Sequence, residues 1–138
     1  MKVFVDSDVV VSAIISSEGV SHLLLHTQEI NPVISSVSHK ELSIVLKRLN
    51  LKVNKLDDLL NKSLQKIALH DTVQELKIKY GKYVLDQNDA HIVAGASLAK
   101  AEFLITYNVR HFKIDKIKED LNIIILTPGM LLQHLRSV

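Results

Sequence analysis

Four carboxylates, Asp6, Glu41, Asp86 and Asp89, fall at positions where a metal-dependent reaction needs them. Asp6 ends an apolar run, Glu41 sits early in a helical pattern, and Asp86 and Asp89 open another. Acids brought together repel, and desolvating each alone costs several kcal/mol. A divalent cation removes that conflict. Oxygen donors without thiolate or a compelling histidine pair favour Mg²⁺ or Mn²⁺ over Zn²⁺. A metal so held that keeps some waters can bind a phosphate oxygen and activate a water for in-line attack. Each acid also has a purely structural reading. Asp6 suits a turn or helix cap, Asp8 a cap of the first helix, Asp86 and Asp89 a capping pair, and Glu41 the helix macrodipole. The case for chemistry therefore rests on the combination and its order along the chain.

These acids must be positioned by the elements around them. Lys2–Val5 predicts a strand, residues 8–16 and 20–28 short helices, and Pro32–Ser35 a buried strand. Residues 37–49 predict an amphipathic helix, with Leu42, Val45, Leu46 and Leu49 at i, i+3, i+4 and i+7. Residues 54–69 predict a further helix, and 72–84 a connector with some short structure, broken by Gly81. A small-residue helix is expected over 90–100, strands over 103–106 and 123–126, and a tight turn over 108–112. Thr127 and Pro128 predict the cap and first position of a last helix. Short apolar strands separated by helices imply an α/β fold, a single doubly wound three-layer domain over residues 1–138 with a short, mostly parallel sheet. Ligands of such sheets bind beyond the carboxyl ends of the strands, where strand order reverses. That rule alone collects the acids at one edge.

Bulk properties narrow the field less. The 138 residues, 47% hydrophobic, suffice for one continuous core. No cysteine is present, which excludes thiolate metal sites and disulfides and fits a reducing cytoplasm. No secretory signal or membrane-spanning run is expected. The net charge of +2 permits a polyanionic partner without demanding one, and three Tyr with three Phe make base-stacking platforms a poor account of any nucleic-acid binding.

Three stretches resemble motifs of the PIN-domain nucleases. VDSDVVVSAI (5–14) is similar to their opening strand and small-residue helix, KELSIVLKRL (40–49) to their second acidic motif, and DQNDAHIVAGASLAKAEFLITYNVRHF (86–112) to the third and fourth run together. The ordered set spans nearly the whole chain. The resemblance implies hydrolysis of RNA phosphodiesters at a divalent-metal site. It further suggests the small toxin-type (VapC-like) ribonucleases of toxin–antitoxin pairs, with a small antitoxin protein as partner and pairing as a homodimer. By resemblance Asp6, Glu41 and Asp89 are catalytic metal-site acids, Asp86 an additional one, and Ser7 and Thr106 supporting hydroxyls. Two positions depart from the pattern. Asp8 stands where Asn is usual, and Asn108 where the fourth acid is commonly Asp, though its amide oxygen can still coordinate. Arg110 and Lys113, with His111, Lys116 and Lys118, form a basic stretch that either contacts RNA phosphates or is merely solvated. His22 and His26, at i and i+4, read as a solvated helix face because no third ligand is evident.

The competing expectation is a PIN-like domain that binds RNA or a protein without cleaving, Asn108 marking a weakened site. A nucleotide-binding domain is disfavoured: no glycine-rich loop follows the first strand, which ends instead in acid.

Overall fold

The computed structural model describes residues 1–137. Among the described residues five strands form one sheet: β1 (Lys2–Val5), β2 (Asn31–Ser35), β3 (Gln65–Ile67), β4 (Phe103–Ile105) and β5 (Ile124–Leu126). Their order is β3-β2-β1-β4-β5 and every pairing is parallel, so the expectation of a mostly parallel sheet is exceeded. The chain leaves β1 toward β2 on one side and later returns to β4 on the other. The reversal of strand order thus lies between β1 and β4, where Val5 pairs with Ile105.

Alternation along the strands divides the core in two. Val3, Val5, Phe103 and Ile105 face one layer, with α1 (Ser7–Ile15), α2 (Val20–Leu25), α3 (Ser36–Arg48), α4 (Asn54–Lys62) and α8 (Pro128–Arg136). Phe4, Leu104 and Ile125 face the other, with α6 (Ala90–Leu98) and α7 (Ile114–Leu121). α6 packs closely on the sheet because its residues are small. A Cβ added to Gly95 would stand 2.5 Å from the Phe4 ring.

Two expectations are corrected, and the short structure expected within 72–84 is specified. The helix predicted over 54–69 ends at Lys62, and Gln65–Ile67 is strand β3. Leu64 and Ile67 continue the helical spacing, but the backbone pairs with β2 instead, with Lys66 exposed on a sheet edge. Within the connector of 72–84, Val73–Tyr80 is a helix, α5, closed by a reciprocal capping box between Thr72 and Glu75. Lys116 and Lys118, read as part of a basic turn, lie on α7, whose Ile117 is fully buried. Thr127 caps α8 with Pro128 at its first position, as expected. Among the described residues no helix is long and apolar enough to cross a membrane.

Candidate metal centre at the sheet switch point

Asp6 is where β1 becomes α1. Its backbone N–H donates to the Ile105 carbonyl at 2.9 Å, and its extended ψ of 153° turns the chain into the helix. Its carboxylate accepts from the Ser7 N–H at 2.7 Å and from the Thr106 hydroxyl at 2.8 Å. Asp6 therefore is a helix cap, and it also lines the acidic cleft; the two readings are compatible. Asp8, expected as a cap, is not one. Its Oδ2 instead accepts from the Tyr107 N–H and from the Asn108 side-chain amide, each at 3.1 Å.

The remaining acids arrive from the other elements. Glu41 projects from α3, and Asp86 caps a one-turn 3₁₀ helix, accepting from the Asn88 N–H at 3.0 Å. Asp89 sits at the junction of that turn with α6 and makes no capping bond. Asp6, Glu41, Asp86, Asp89 and Asn108 all line one cleft of about 490 Å³, together with Leu85, Ile92 and His111. Asp8, Ser7 and Thr106 stand behind this lining. Arg110 and Lys113 are exposed beside it, in and just after the turn Val109–His111. His22 and His26 lie elsewhere, stacked at 4.1 Å between ring centres beside α4.

The electrostatics of the cleft are strained. Burial, and then the Asp8 charge, raise the Asp6 pKa from 3.8 to about 6, against the lowering effect of its two hydrogen bonds. Burial likewise raises Asp8, and burial followed by the Asp86 charge raises Asp89. Ser7 Oγ and Asp8 Oδ1 are buried without a hydrogen-bond partner, an uncommon state for polar atoms. Among the described residues no three His, Asp or Glu side chains form a ready-made metal cage. Glu41 lies 3.0 Å from the buried His91. The donor chemistry nonetheless fits a hard divalent cation: oxygen donors and surplus negative charge line one cleft.

Sequence reasoning overlooked two contributors. His91 holds Glu41, and the Tyr107 hydroxyl bonds to Ser21, tying the loop that carries Asn108 to α2. His111, read as part of the basic stretch, lies 3.7 Å from Asp89. The signal for His91 was present as the one titratable residue in the small-residue run AHIVAGASL.

A parallel doubly wound domain with an acidic cleft at its switch point is the class that these features define. The PIN domain family model matches residues 2–110, and the chain belongs to that family. No curated protein matches it. Among solved structures, VapBC2 of Rickettsia felis bound to a promoter DNA fragment is similar at TM-score 0.63 and 19% identity, covering 92% of this chain and 98% of that one. A toxin–antitoxin complex from Klebsiella pneumoniae gives 0.64 and 18%, covering 91% and 97%. VapBC-1 of nontypeable Haemophilus influenzae gives 0.60 and 13%, covering 94% and 99%. At these identities the likeness establishes the fold.

Proposed function

We propose that residues 1–138 act as a single PIN-like domain, a metal-dependent endoribonuclease of the toxin type. The observation that carries this reading is the convergence of Asp6, Glu41, Asp86, Asp89 and Asn108, from separate segments, on one cleft at the switch point. These residues would hold Mg²⁺ or Mn²⁺, which when bound supplies Lewis-acid polarisation of a phosphate and a water of lowered pKa. The chain's own part is to hold the donors. Thr106 and the Ser7 N–H fix the Asp6 carboxylate, and His91 fixes Glu41. Arg110 and Lys113, exposed beside the cleft, suit the phosphates of RNA on either side of the cut. His111, 3.7 Å from Asp89, adds a polar side chain to the cleft lining.

Likeness to VapBC and toxin–antitoxin complexes supports a small antitoxin protein as partner. Exposed Ile15 and Leu23 offer apolar surface for that partner or for a second copy of the chain. The decisive experiment incubates purified protein with a mixed RNA pool, with Mn²⁺ or with EDTA. Cleavage that requires Mn²⁺ and disappears in Asp89→Ala is expected. RNA retained without cleavage, in Mn²⁺ and in EDTA alike, would favour a binding module.

A further inference from the structure

Asp8 stands outside the lining of the acidic cleft, yet it governs what Asn108 presents to it. A carboxylate can only accept hydrogen bonds, whereas an asparagine side chain has one donating and one accepting end. Asp8 Oδ2 takes the Asn108 Nδ2 amide at 3.1 Å, so the Asn108 carbonyl oxygen is the end left over. The backbone is fixed as well. Tyr107 N–H bonds to the same Asp8 oxygen, and Asn108 N–H donates at 3.0 Å to the Thr106 hydroxyl, which itself donates to Asp6. The loop after β4 thus hangs from the first turn of α1 at Asp6 and at Asp8.

We propose that Asp8 is a positioning residue of the site, forming with Asn108 a matched acid–amide pair that turns the Asn108 oxygen toward the metal-binding cleft. The part concerning metal rests on the metal-site reading above. The pair also explains both departures noted in the sequence. The unexpected Asp at 8 and the unexpected Asn at 108 touch each other, so one hydrogen bond links both.

The pairing makes a demand that neither residue makes alone. Asn108→Asp would set two carboxylates 3.1 Å apart, where like charges repel and neither can donate to the other. With Asp8→Asn as well, one acid and one amide face each other again, and a small rotation of the new asparagine keeps an acceptor on Tyr107 N–H.

The test uses the full chain, Asp8→Asn, Asn108→Asp and the double variant. Each is melted metal-free in EDTA at about pH 8 and then titrated with Mn²⁺ by calorimetry. Asn108→Asp is expected to lower Tm by several degrees alone and by much less in the Asp8→Asn background. Asp8→Asn leaves only a neutral acceptor for the Asn108 amide and is expected to weaken Mn²⁺ binding about tenfold, the usual effect of weakening an outer partner of a ligand, and adding Asn108→Asp to restore most of it. Additive melting shifts overturn the pair, as does Mn²⁺ affinity unchanged by Asp8→Asn in a wild type that binds the ion. A wild type that takes up no Mn²⁺ removes the metal-site reading by itself. In that case non-additive melts still uphold the pair and additive melts still reject it.

Discussion

Asp6 carries the sharpest consequence for a single residue. Its folded pKa of about 6 exceeds the 3.8 of the unfolded chain, so the metal-free fold favours the protonated form. The native state then binds more protons than the unfolded one between about pH 4 and 6, and stability falls as pH rises through that window. The loss from Asp6 alone is about 3 kcal/mol, and the raised Asp8 and Asp89 act in the same direction. Calorimetric scans in EDTA should therefore show Tm declining from about pH 4 to pH 7. Asp6→Asn should flatten that decline, because the Thr106 hydroxyl can turn to accept from the new amide. Mn²⁺ at millimolar levels should raise the wild-type Tm and leave Asp6→Asn nearly unmoved. A wild-type Tm that climbs with pH in EDTA would contradict the electrostatics described for the cleft. The acids were legible in the sequence because their spacing from strand ends is local. The bonds of Thr106 to Asp6 and of Asn108 to Asp8 were not, since each joins positions 100 residues apart.

Among the elements, α6 packs tightly against the sheet at Gly95. Gly95 faces the Phe4 ring, and the 2.5 Å contact made by an added Cβ exceeds any helix-propensity gain, which is about 1 kcal/mol. Gly95→Ala is expected to destabilise the protein by about 1–3 kcal/mol, as overpacked cores do, and Phe4→Leu should recover part of that loss. Urea unfolding of the two single variants and the double variant measures the coupling. The caps offer a gentler test: Thr72→Ala removes one half of the box at the start of α5 and should cost about 1 kcal/mol. Hydrogen exchange would place that loss in α5 rather than in the sheet. Most elements could be read from periodicity, including β1, β2, α3, α6 and the cap of α8. Strand β3 could not, because Leu56, Leu60, Leu64 and Ile67 keep a helical rhythm across it while only pairing with β2 makes it a strand. Helix α7 was readable in Ile114, Ile117 and Leu121 at helical spacing, but the lysines among them drew attention to charge instead.

For the whole molecule, expression in a bacterial host should slow growth, and Asp89→Ala should relieve the effect at matched protein level. Equal growth with both would favour a binding role. The order of assembly follows from the sheet. β1, made first, is completed on one side by β2, but its other partner β4 begins only at Phe103. A nascent chain that has delivered its first hundred or so residues from the ribosome has neither the Thr106 hydroxyl on Asp6 nor the loop that Asp8 holds. What it has is an uncovered apolar strand edge at β1, a feature that invites proteolysis or aggregation. The acidic cleft is thus a property of the finished polypeptide alone. A translation product broken off before β4 would lack the partners that hold Asp6 and Asp8 in place.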